Sequence, residues 1–184
     1  MKKNEQTRLI RSYAEALYEV SDASGLSEKV LEESSSFAAD MVADPQIAMY
    51  LANPILSNND KEQALSEVAK KRKMSKPMCG LLKTMAQNGR SDVLLYVMQD
   101  YKNIFYRKKN ICPVLVKTVA ELSDAQKKKL TSAMEKYTGK KVVVDYQIRP
   151  ELLGGLLIEC DSKVIDDSIK GKIDRLTLLM KGAE

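Results

Sequence analysis

Histidine and tryptophan are absent from the chain, phenylalanine occurs only twice and cysteine only three times. Without histidine the commonest general base near neutral pH is gone, and with it every Ser-His or Cys-His nucleophile arrangement. Cys79, Cys112 and Cys160 are odd in number and widely spaced, form no C-x-x-C pair and have no histidine with which to complete a zinc site. They read as buried free thiols. We therefore expect no catalytic, metal-binding or cofactor-binding residue, and read the chain as non-enzymatic.

Long apolar runs are missing too. Gly154-Gly155-Leu156-Leu157-Ile158 falls far short of the ~20 residues that a membrane-spanning helix needs. The N-terminal lysines Lys2 and Lys3 are followed by Asn4, Glu5, Gln6 and Thr7, where a signal peptide would carry its apolar core. A cytoplasmic protein without direct membrane insertion is expected, any membrane association being indirect.

What is present fits one large or two small domains, since the 184 residues are comparable with a typical domain of roughly 100 to 200. An ordinary apolar share of 44% with a charged share of 30% reads as a helix-rich globular chain. The net charge of +5 arises from 30 basic against 25 acidic side chains, a mixture that favours solubility over nucleic-acid binding.

The first hundred residues break into short helical patterns, each closed by a stop. Residues 7–20 form the first, with Gly25 in the turn that follows. A second starts after Ser27 as its cap, carries Val30, Leu31, Phe37, Met41 and Val42 on helical spacing, and is interrupted at Asp44-Pro45. Pro45 and Pro54 bracket a very short third. Asn59-Asp60 caps a fourth that ends in the basic turn Lys70-Lys71-Arg72-Lys73. Ser75 and Pro77 open a fifth, which stops at Asn88-Gly89. Ser91 or Asp92 caps a sixth that reaches about residue 106.

Near Asn110 the character changes. The β-branched run from Ile111 to Val119 reads as a strand, with Pro113 indicating an edge or a strand start. Ser123-Asp124-Ala125-Gln126 is a capping-box pattern for a helix that ends near Gly139. Further strands are expected over 142–148 and after Gly154-Gly155, turning at Asp161-Ser162 into Val164-Ile165. A last helix covers 168–180. The fold expected is α+β: a six-helix bundle over residues 1–107, then a small α/β domain with a short mixed sheet over residues 108–184.

The first helix is wider than one buried face requires. Leu9, Ile10, Tyr13, Ala14, Ala16, Leu17, Tyr18 and Val20 cover an arc of about 200°, against the ~100° stripe that packs on a core. Either the helix is central and covered on most sides, or part of the arc, with Ala14 and Tyr18 as candidates, stays open to a partner helix.

Several of these segments resemble the ATP synthase delta subunit family, whose mitochondrial counterpart is the oligomycin-sensitivity-conferring protein. Tyr13-Ala14-Glu15-Ala16-Leu17-Tyr18 looks like the family's opening helix, and Asn88-Gly89-Arg90 like its turn between the fifth and sixth helices. The more specific match is the stretch from Val144 through Arg149-Pro150-Glu151-Leu152-Leu153-Gly154-Gly155-Leu156, followed by Val164-Ile165-Asp166-Asp167-Ser168-Ile169. Asp167 stands where the family usually has glycine, so the local turn is expected to differ.

The resemblance implies a non-catalytic stator subunit without a cofactor, a monomer within a rotary proton-translocating ATP synthase at the cytoplasmic face of the bacterial inner membrane. Its helical domain would receive N-terminal helices of alpha subunits, and its C-terminal region would engage the b-subunit stalk. By similarity the alpha-binding groove lies between helices one and five, with Tyr13, Ala14, Leu17 and Tyr18 facing Leu82, Met85 and Ala86. Arg90, Gly154, Gly155, Asp166 and Ser168 fall in signature segments with structural roles, Asp166 and Ser168 as caps of the final helix. The alternative is a nucleic-acid-binding adaptor using Lys70-Lys71-Arg72-Lys73, Arg107-Lys108-Lys109 and Lys127-Lys128-Lys129. Those runs are short and scattered, no aromatic RNA-recognition motif accompanies them, and no nucleic-acid partner is expected.

Overall fold

The computed structural model describes residues 3–160 and 163–181. Among the described residues the fold is α+β, with eight α-helices and a four-stranded mixed sheet. Its contacts divide it into two compact units, Met1–Phe105 and Tyr106–Glu184.

Helices α1 (Lys3–Ala23), α2 (Ser27–Ala43), α3 (Pro45–Ala52), α4 (Asn58–Lys71) and α5 (Lys76–Gln87) precede a short 3₁₀ turn, Ser91–Val93, and α6 (Leu94–Lys108). Their ends follow local chemistry. Gly25 and Gly89 adopt positive φ just after α1 and α5, where a side chain would be disfavoured. Asp44 accepts from the Gln46 N–H at 2.9 Å, while Pro45 opens α3. A proline there loses nothing, because a first-turn N–H has no helical acceptor.

Two expected caps lie elsewhere, and a third is replaced by a 3₁₀ turn. Leu26, not Ser27, stands at the cap of α2, and Ser27 is buried with its carbonyl accepting from the Tyr101 hydroxyl at 3.0 Å. Ser57, not Asn59 or Asp60, caps α4 through its hydroxyl to the Asp60 N–H at 3.1 Å. Before α6, Ser91 and Asp92 belong to the 3₁₀ turn, and no side chain caps that turn.

In the second unit, β1 (Ile111–Thr118) is followed by α7 (Asp124–Thr138), β2 (Lys141–Ile148), β3 (Leu156–Cys160), β4 (Lys163–Asp166) and α8 (Ile169–Lys181). The sheet order is β2-β1-β3-β4, with β1 parallel to β2 and antiparallel to β3. Pro113 is the third residue of β1, one before the register with β3 begins at Val114, so of the two places expected for it the strand start holds although β1 is a central strand. The Ser123–Gln126 capping box forms, and Gly139 ends α7 in the left-handed conformation. Alternate residues of the strands bury one sheet face around Cys112, Val114, Val116, Met134, Ile158 and Cys160, to which α7 contributes Met134. The turn expected at Asp161-Ser162 lies outside the described residues.

Candidate functional site

On α1, residues three and four apart share a face, so Tyr13, Leu17 and Val20 form one strip, continued by Ser24 just past the helix end, while Ala14, Tyr18 and Ser21 form the next. The second strip is buried throughout, whereas of the first only Leu17, at 3% exposure, is buried. Ala14 is 0% and Tyr18 7% exposed. The Tyr18 ring packs against Tyr101 and Phe105 of α6, with centroids 6.3 and 6.4 Å away. Below it the Ser21 hydroxyl meets the Tyr101 hydroxyl at 2.9 Å. Ala14 and Tyr18 are therefore not open to a partner, which corrects the sequence expectation: the aromatic cluster on α6 claims that strip for the core.

The first strip is different. With Ala16 it forms one wall of an open furrow of about 410 Å³, whose other wall is Lys76, Pro77, Gly80, Leu81 and Thr84 of α5. Val20 is 55% exposed. Gly80 has open space where a Cβ would stand, so the α5 backbone itself is accessible at the middle of the furrow. Tyr13 closes one end, its hydroxyl accepting from the Asn88 amide at 3.1 Å. Of the seven residues expected to form a groove, Tyr13 and Leu17 line this furrow. Ala14, Tyr18, Leu82, Met85 and Ala86 are buried behind it. Val20 belongs to the wide apolar arc but was not assigned to the groove, and Gly80 and Thr84 were not anticipated; for α5 the available signal was a glycine inside an otherwise good helical pattern.

A second recess, about 570 Å³, lies among α2, α3 and α4 over Phe37, Ile47, Tyr50, Leu51, Leu65 and Val68. Arg72 lies at its rim, 5.8 Å from the Phe37 ring centroid and 2.5 Å from the Asp40 carboxylate.

The signature residues form a clasp at the start of α8. Gly155 has φ +74, and a Cβ on it would stand 2.3 Å from the Asp167 carbonyl oxygen. On Gly154 a Cβ would meet Ile169, and the Gly154 carbonyl accepts from the Ile169 N–H at 3.0 Å. Asp166 accepts from the Ser168 N–H at 2.8 Å and hydroxyl at 2.6 Å, and Ser168 in turn accepts from the Gly171 N–H at 3.0 Å. Those two hydrogen bonds from Ser168 hold the Asp166 carboxyl below its ordinary value of 3.8, with Arg175 and Lys172 adding to the effect. Arg90 follows Gly89 in the turn after α5, its N–H donating to the Met85 carbonyl at 2.8 Å.

Among the described residues no group of three or more His, Cys, Asp or Glu side chains converges to hold a metal ion, and no helix is long and apolar enough to cross a membrane. The first unit supplies an open apolar furrow, and the second a firmly capped α8. The profile of the ATP synthase delta (OSCP) subunit family matches residues 9–180, and the chain belongs to that family, whose members are structural rather than catalytic subunits.

Individual relatives agree. The chain is 34% identical over 170 residues to ATP synthase subunit delta of Paramagnetospirillum magneticum, covering 92% of each chain. It is 30% identical over 173 residues to ATP synthase subunit delta of Rickettsia rickettsii, covering 94% of each. Its fold matches a chain in the cryo-electron microscopy structure of the Toxoplasma gondii mitochondrial ATP synthase hexamer with a TM-score of 0.74 at 22% identity, covering 94% of this chain and 97% of that one.

Proposed function

We propose that this chain is a stator connector of a rotary proton-translocating ATP synthase, peripheral at the cytoplasmic face of a bacterial inner membrane. We read its first unit as a six-helix bundle whose α1/α5 furrow receives the amphipathic N-terminal helix of an alpha subunit. Its second unit engages the b-subunit stalk, and the chain resists torque by gripping both. The observation that carries this reading is the furrow: a helix-sized apolar channel with Val20 exposed on one wall and bare α5 backbone at Gly80 on the other. A docking helix offers apolar side chains at i, i+3, i+4 and i+7, which such a channel accommodates. Support for the stalk contact comes from α8, where Leu176, Leu178, Leu179 and Met180 are all exposed.

The test is titration of the purified chain with a peptide of the alpha-subunit N-terminus. Val20→Glu places a charge in the channel and Gly80→Leu fills it, and neither touches the core. Each should weaken binding at least about tenfold, which corresponds to ~1.4 kcal/mol, with circular dichroism unchanged. Undiminished affinity in both folded variants would sink the assignment of the furrow.

A further inference from the structure

We propose that Cys112 and Cys160 are a reversible dithiol/disulfide site built into the sheet of the second unit. The β1–β3 register sets Val114 opposite Cys160. Cys112, two residues before Val114, therefore projects from the same sheet face as Cys160. Both lie in the apolar layer with Val114, Val116, Ile158 and Met134, at 4% and 5% exposure. Their sulfurs are 2.9 Å apart, and neither is joined in a disulfide. A protein disulfide is about 2.0 Å long, so closure requires the two sulfurs to approach by roughly 1 Å from adjacent strands that the ladder already holds.

Cys79 provides an internal contrast. It is half-buried on α5, and its thiol faces the Met74 carbonyl at 3.6 Å rather than another sulfur.

The chemistry needs an oxidant, and a low-molecular-weight disulfide suffices. The thiolate of one cysteine attacks a sulfur of the reagent, forming a mixed disulfide and releasing one reagent thiolate. The second cysteine, as thiolate, then attacks the protein sulfur of that mixed disulfide and releases the other. The two cysteines are oxidised, the reagent is reduced to two thiols, and the two protons given up by the cysteines end on them. Apolar burial disfavours the thiolate and makes the exchange slow, so the site responds to sustained oxidising conditions rather than to brief ones. Once formed, the bond ties the central strand pair and closes a loop containing α7 and β2, which restricts the unfolded chain.

The experiment equilibrates the native full-length chain with excess oxidised glutathione, followed by peptide mapping and thermal unfolding. The expected result is a cross-link between Cys112 and Cys160 with loss of two hydrogens. An unfolding midpoint raised by ~5–10 °C should accompany it and revert with dithiothreitol. Cys79→Ala should leave the cross-link intact, and Cys112→Ala or Cys160→Ala should abolish it. Because the wild-type chain alone decides the matter, a misfolded variant does not blunt the test. Three thiols still free after equilibration, glutathione mixed disulfides without the cross-link, or a cross-link formed only in denaturant would each overturn the proposal.

Discussion

The two units hide their apolar side chains to different degrees. In the first, Met78, Leu82, Leu94, Met98, Tyr101 and Ile104 from α5 and α6 are essentially inaccessible, and the furrow and the recess over α2, α3 and α4 are set into the surface of that core. In the second, one face of a four-stranded sheet gathers a small buried cluster, while α8 contributes no buried residue at all. An isolated helix of 13 residues is marginal in water, since short helices do not repay nucleation. The difference teaches where each unit is vulnerable: the first through its buried polar contacts, the second through the backbone clasp that starts α8.

The largest effect should follow from Gly155→Ala. The added carbon meets the Asp167 carbonyl, a backbone atom that cannot step aside, and the residue must also hold φ +74. Positive φ in a non-glycine residue, with a steric overlap added, costs more than about 3 kcal/mol. Calorimetry should show a destabilised second unit with the helical first unit retained. If both units lost stability together, the contrast between them would be broken.

A smaller loss is expected from Tyr101→Phe in the first unit. The phenol lies between the Ser27 carbonyl at 3.0 Å and the Ser21 hydroxyl at 2.9 Å, fully buried. Removing it leaves buried polar atoms short of a partner, at a cost of about 2 kcal/mol. Burial pushes the Tyr101 pKa above its ordinary 10.0; the Ser21 hydrogen bond opposes that, while the charges of Tyr18, Asp22 and Glu33 add to it. A raised folded-state pKa contributes stability that is fully present below pH 10 and lost as pH climbs through the raised value. Denaturant titrations at increasing alkaline pH should therefore show a falling limb in the wild type that Tyr101→Phe flattens.

The same contrast explains how much was legible in the sequence. The second unit has strong local punctuation, and residues such as Ser123, Gln126 and Gly139 act on their own neighbours, so its elements could be read directly. In the first unit the segment Ser57-Asn58-Asn59-Asp60 offers several cap side chains, and only Ser57, with extended backbone at φ −66 and ψ 153, takes the role. Nothing local decides that competition. The wide apolar arc of α1 was visible too, but which part is covered depends on where Tyr101 and Phe105 arrive from α6. Periodicity reveals that a helix has surplus apolar surface; tertiary neighbours decide which strip is the surplus.

The mildest perturbation should be Asp166→Asn, which keeps an acceptor for Ser168 but removes the charge. Asp166 is held below 3.8 chiefly by the two hydrogen bonds from Ser168. A depressed carboxylate contributes stability above its unfolded-state value and loses it as pH falls through the lower folded-state value. The start of α8 should accordingly loosen below pH 3.8, seen as faster amide exchange at Gly171 and Lys172 and as loss of helical circular dichroism. In Asp166→Asn that acid-dependent step should shrink while the Ser168 cap on Gly171 persists. An unchanged acid profile would mean that the clasp is held by the Gly154–Ile169 backbone hydrogen bond and the close approach at Gly155, with the carboxylate a bystander. In that case the vulnerability of the second unit would be purely one of backbone geometry.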